Sequence, residues 1–144
     1  MRERLARLAR MSSPTARSLD YLRKAGYSAC VVEKWVPSGP AGFKGPIITR
    51  DAFNFGDILA VRVGMPGALL VQTTTGSNAA ARVDKIRGIA EAGIWLAAGN
   101  QIHVHSWRKR GDRGKRKLWD CVVIPILPPE VEKQMREGAL ERQM

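Results

Sequence analysis

Two apolar runs, DILAVRV at 57–63 and ALLVQTTT at 68–75, constrain the architecture more than any other feature of the chain. A strand with one wet face alternates apolar and polar residues. These runs are apolar on consecutive positions, the pattern of strands covered on both faces. They are joined by a Gly64–Gly67 turn. Such strands need layers of helix, and the flanking sequence offers them. Ser13-Pro14 can cap and open a helix that Gly26 stops. The segment 78–99 has helical apolar spacing at Ala79, Val83, Ile86 and Ile89, with Gly88 placed to split it. Residues 27–36 (YSACVVEKWV), 102–107 and 118–126 read as further strands, the last two forming a hairpin about the basic turn RKRGDRGK. The glycines and prolines of PSGPAGFKGP (37–46) forbid regular structure. The expected fold class is α/β, in the order αβββαβ plus one extra C-terminal strand, with a mixed central sheet flanked by helices. Pro128-Pro129 closes it, giving a basic N-terminal arm (1–12), one domain (13–126) and a polar helical tail (127–144).

Charge narrows the function. Of 144 residues, 24 are Lys or Arg and 13 are Asp or Glu, a net charge of +11. The excess is not in the tails: residues 13–126 hold seventeen basic and eight acidic side chains. A basic globular domain expects a polyanion, nucleic acid ahead of a membrane surface. No apolar run is long enough to span a bilayer and no apolar stretch follows the basic N-terminus, so a cytoplasmic location is expected. Cys30 and Cys121 lie in apolar runs and are expected to be buried, reduced thiols. The segment 108–117 carries seven basic residues and one acid, a dense phosphate-binding patch on a hairpin tip: Arg108, Lys109, Arg110, Arg113, Lys115, Arg116 and Lys117. Lys34, and Lys44 and Arg50 on a flap formed by the glycine-rich loop, extend the expected DNA-binding set, as do Arg82 and Lys85 on the second helix.

Of the eight acids, two demand explanation. Asp57 heads the run ILAVRV and Glu33 interrupts ACVVEKWV. A carboxylate buried unpaired costs several kcal/mol, so something must hold each. Asp51 is read as a loop residue. Gln72 and Thr74 alternate on one face of their strand. If that strand lies beside the Asp57 strand, Asp57 and Gln72 converge, and with Glu33 they offer the oxygens a hard cation such as Mg²⁺ takes. His103 and His105 share a strand face, too few for a zinc site, and are expected to meet solvent or DNA. The four tryptophans are expected in the core or its rim.

The segments SPTARSLDYLRKAGY, VVEKW, FGDILAV, VQTTTGSNAAARVDKI and VHSWRKRG resemble the PD-(D/E)xK nuclease superfamily, restriction-endonuclease-like and related to Holliday-junction resolvases, in its small phage or prophage form. The resemblance spans about residues 12–125. It implies metal-dependent cutting of DNA with Mg²⁺ or Mn²⁺, often by a homodimer. Asp57 takes the place of the motif aspartate, Gln72 that of the second acid, Thr74 that of the lysine, and Glu33 that of an upstream acid. Gln in place of the second acid still offers an oxygen to a metal. Thr in place of lysine removes a charge that offsets the transition state. Arg82 or Lys85 could replace it. Three functions follow as expectations: a metal-dependent DNA endonuclease, with branched or single-stranded DNA as possible targets; a degraded nuclease fold that binds DNA or assembles; and a phage structural or adaptor protein.

Overall fold

The computed structural model describes residues 13–37 and 47–144. Helix α1 (Pro14–Lys24) starts where Ser13 Oγ accepts the Ala16 N–H at 3.1 Å, with Pro14 in its first turn. The remaining elements are β1 (Ser28–Val31), β2 (Lys34–Pro37), β3 (Ile47–Arg50), β4 (Ile58–Val61), β5 (Leu69–Thr75), α2 (Ala79–Arg87), α3 (Ala90–Ala97), β6 (Gln101–Arg110), β7 (Leu118–Ile126) and α4 (Pro129–Gln143). A short 3₁₀ turn, Gly76–Asn78, leads into α2.

Five strands form one mixed sheet in the order β1-β4-β5-β6-β7. Only the β5–β6 pairing is parallel, because the α2–α3 crossover returns the chain in the same direction; the other three are antiparallel. Both faces are covered, as the continuous apolar runs require. On one face Leu70, Ile102, Val104 and Ile126 pack with Phe55 against Val83, Ile86 and Ala92 of α2 and α3. On the other, Ile58, Ala60, Leu69 and Val71 pack against Leu22 of α1. The glycine at 88 divides α2 from α3 as its placement suggests. Helix α4 has no buried residue and is tied back by an Arg87–Glu132 ion pair. Among the described residues no helix is long and apolar enough to cross a membrane.

Three expectations are corrected. The strand expected over 27–36 is two strands in different sheets: β1 joins the main sheet, while β2 pairs with β3 in a separate two-stranded ribbon. The break falls at Val32-Glu33, where the Val32 N–H donates to the Asp57 carbonyl at 2.9 Å and the chain then leaves the sheet. The ribbon sets Lys34 across from Arg50, so residues 47–50 form a strand that the glycine- and proline-rich segment before them does not announce. Second, Cys30 is exposed, because β1 is an edge strand with mostly open side chains. Third, β6 is longer than 102–107: it runs on to Arg110, so Arg108, Lys109 and Arg110 belong to the ladder with β7 and not to a turn.

Candidate metal centre and nucleic-acid interface

Asp57 sits one residue before β4, and its position is fixed by backbone from both neighbouring strands. Its N–H donates to the Val71 carbonyl at 2.8 Å and its carbonyl accepts from Val32. Gly56 before it is forced by packing, since a Cβ there would stand 2.5 Å from the Leu70 side chain. One step beyond the Ile58–Val71 pair, the antiparallel register faces Asp57 with Gln72. The two side chains meet, as strand alternation predicts: Gln72 Nε2 donates to Asp57 Oδ2 at 2.9 Å. The same oxygen accepts the Thr73 N–H at 2.8 Å and the Thr73 hydroxyl at 3.1 Å.

Three donors do not offset the burial. Asp57 is only 5% exposed. Burial pushes its carboxyl up to about 7, and the nearby Asp51 carboxylate adds to the rise, against the opposing pull of the Thr73 N–H. Desolvation wins. A carboxyl in this state is short of positive charge.

The third acid carries no signal in the sequence. The segment 51–57 turns back on itself through Phe53 and Asn54, both with positive φ (54° and 66°), and an Ala52–Gly56 bridge closes the turn. Left-handed non-glycine residues cost about 1–2 kcal/mol each. Phe55, fully buried in the α2–α3 core, helps to hold the turn. The effect is to return Asp51 beside Asp57, where a plain loop residue was expected. Glu33, Asp51 and Asp57 each present an oxygen, and these lie within 4.8 Å of one another. The spacing of Asp51 six residues before Asp57 is not periodic; the aromatic pair in AFNFG is the only local hint of an anchored turn.

Gln72 is 3% exposed, and its Oε1 is buried without a hydrogen-bond partner among the described residues. A buried amide oxygen left without a donor costs about 1–3 kcal/mol. The three clustered carboxylates could hold a metal ion, and Gln72 touches the group through its Nε2 on Asp57.

The other expected residues fall into place unevenly. Thr74 is buried on the Gln72 face, across from Ser106, whose Oγ also lacks a partner among the described residues. One pair further along that face, Arg108 leans over Gly76, with its Nε 3.5 Å from where a Cβ would stand. Arg82 is half-buried and Lys85 exposed on α2; among the described residues neither forms an ion pair with the acid cluster. Arg50 is exposed at the end of β3, Lys34 heads β2, and Lys44 lies outside the described residues.

The seven cations at 108–117 are all exposed. Two are tied to acids, Arg110 to Asp120 at 3.3 Å and Lys115 to Asp112 at 3.8 Å. Exposed pairs of this kind are weak, about 0–1 kcal/mol, and yield to a phosphate. Fully solvated, the run carries no desolvation cost.

The histidines correct an expectation. His105 is 1% exposed, with Nδ1 2.9 Å from the buried Ser18 Oγ, and meets neither solvent nor a polyanion. Burial first, and then the neighbouring His103, push it down to about 4, so it is neutral at pH 7. Of the tryptophans, Trp107 is buried, Trp95 half-buried, and Trp119 44% exposed.

A five-stranded mixed sheet flanked by helices makes the chain an α/β protein. Compared with family models, curated proteins and solved structures, it matches none of them.

Proposed function

We propose that the protein is a metal-dependent DNA phosphodiesterase centred on Glu33, Asp51, Asp57 and Gln72. The observation that carries this reading is the meeting of three carboxylates beside Gln72, whose buried Oε1 has no donor among the described residues. Mg²⁺ or Mn²⁺ suits that set. Bound there, it would supply Lewis acidity to a phosphate and lower the pKa of its own water. The chain's residues do the rest. Thr73 and Gln72 orient the Asp57 carboxylate, the strand backbone fixes where it stands, and the β6–β7 tip holds phosphates without reading sequence. The net charge of +11 draws the polyanion in. The similarity of Asp57, Gln72 and the strand order to PD-(D/E)xK nucleases supports the same reading.

A second reading, a DNA-binding or assembly module on a degraded nuclease fold, is favoured by one observation: uncharged, buried Thr74 stands where those nucleases place a lysine. Incubation of plasmid, single-stranded and branched DNA with Mg²⁺, Mn²⁺ or EDTA separates the two. Cutting that needs the metal and is lost in Asp57→Ala is expected. Salt-sensitive binding without nicking, unchanged in Asp57→Ala, would leave only the module.

A further inference from the structure

The α1 face of the sheet carries an aromatic groove that the acid cluster does not use. It lies between α1 and the β6–β7 hairpin, with a volume of about 410 Å³, and Arg17, Tyr21, Lys24, Trp107 and Trp119 line it. That is within the roughly 300–1,000 Å³ of ligand pockets. Trp107 is held in place. The Trp107 indole N–H donates to the buried Ser18 Oγ at 2.8 Å, and Tyr21 stands edge-on to His105 and Trp107. The Arg17 guanidinium carbon lies 3.6 Å over the Trp119 ring, and Lys109 Nζ is 5.2 Å from the same ring. The two acids in the wall are paired, Asp20 with Lys24 and Asp120 with Arg110.

Two facts identify the occupant. Guanidinium, indole and nucleobase share planar stacking chemistry, so an Arg–Trp layer is a platform that a base extends. Trp119 also pairs with Lys109 in the β6–β7 ladder, so the platform adjoins the phosphate-binding tip. Duplex bases are stacked on one another and cannot enter a groove under a helix. We propose that this groove binds an unpaired polynucleotide strand, a base stacking on the exposed part of Trp119, which the buried Arg17 guanidinium backs, while Lys109 and the tip hold the phosphates. The inference rests on the proposed function for its ligand and deepens it by selecting unpaired strands over duplex.

The test is fluorescence anisotropy in EDTA, with labelled oligo(dT) and a duplex of equal length, on wild type, Trp119→Ala and Trp119→Phe. Trp119 is 44% exposed, and unchanged circular dichroism and melting confirm that each variant folds. Trp119→Ala is expected to weaken oligo(dT) binding about 5- to 100-fold and duplex binding less than about threefold, with Trp119→Phe close to wild type. Unchanged oligo(dT) affinity, or equal losses on both ligands, overturns the proposal. So does polyglutamate competing as well as oligo(dT), which would mean an acidic-peptide site. Wild type binding neither DNA removes this proposal and the nuclease reading together. A Trp119-dependent oligo(dT) site in a protein that never cuts DNA keeps the groove and removes only the nuclease.

Discussion

The acid cluster and the basic hairpin tip hold opposite charge, and opposite kinds of contact build them. The cluster gathers Glu33 from the break after β1, Asp51 and Asp57 from the two ends of a tight turn and Gln72 from the middle of β5; Asp57 and Gln72 are buried, Glu33 and Asp51 half-buried. The tip is ten consecutive residues, every one exposed. Water screens the charge of the tip, so its like charges cost little. The cluster is dry enough for burial to hold the Asp57 carboxyl near neutrality despite three donated hydrogen bonds. Under the proposed function the difference separates two jobs. A solvated cationic run gathers polyanions; a buried anionic one is unfavourable by itself and becomes favourable only with a proton or a metal.

If that division holds, the two regions fail differently. The largest effect is expected from Asp51→Asn, which removes a charge from the cluster and leaves its shape. Metal-dependent cleavage should fall about 100-fold or more, beyond the roughly 10- to 100-fold typical of outer-shell partners, while the Kd for DNA stays within about threefold. Single-turnover cleavage and anisotropy titration report the two quantities, and a matching drop in both would erase the separation.

The converse variant is Lys115→Ala/Arg116→Ala/Lys117→Ala. Binding should weaken for all sequences alike, and the slope of log K against log salt should become shallower by about 0.9 for each duplex phosphate that the variant no longer neutralises. Cleavage at saturating DNA should barely change. A salt slope identical to that of wild type would show the tip to be a solvated face with no ligand.

Smaller, and of opposite sign to most substitutions, is the expected stability effect of Asp57→Asn. In the metal-free protein Asp57 keeps its proton up to about pH 7, whereas the unfolded chain releases it near 3.8. The folded state therefore binds the extra proton between those values. The stability this contributes is complete below pH 3.8, declines as pH rises, and is lost above about 7. Asp57→Asn should remove the decline, making the variant about 1–3 kcal/mol more stable than wild type at pH 8. Urea unfolding across pH 4–8 measures it. Mn²⁺ should stabilise wild type more at pH 8 than at pH 6 and do little for the variant. A wild type with flat stability over that range would show that the cluster is wetter than its burial implies.

The smallest change tests a contact outside both regions. Glu132→Gln breaks the ion pair of α4 with Arg87, and because no residue of α4 is buried the destabilisation should stay below about 1 kcal/mol, with cleavage and binding untouched. Hydrogen exchange in α4 would register it.

Much of the fold was legible in the chain. Consecutive apolar residues at 58–61 and 69–71 announced strands covered on both faces, because burial on two sides leaves no position for a polar residue to alternate into. Strand parity put Gln72 and Thr74 on one face, and an acid at the head of ILAVRV marked Asp57 as a residue that needs a partner. The tip could be read directly, since charge density within ten residues is a local property.

What the tertiary structure alone decided is which acids meet. Asp51 enters the cluster through two left-handed residues anchored by a buried Phe55, and Glu33 through a strand break set by the hydrogen bond from Val32 to the distant Asp57. The burial of His105 against Ser18, 87 residues away, and the exposure of Cys30 on an edge strand are likewise set by strand order. Periodicity and local charge follow from the amino-acid order because they depend on near neighbours. Which side chains share a desolvated pocket depends on register and on turns closed by distant packing, and these exist only once the sheet has formed.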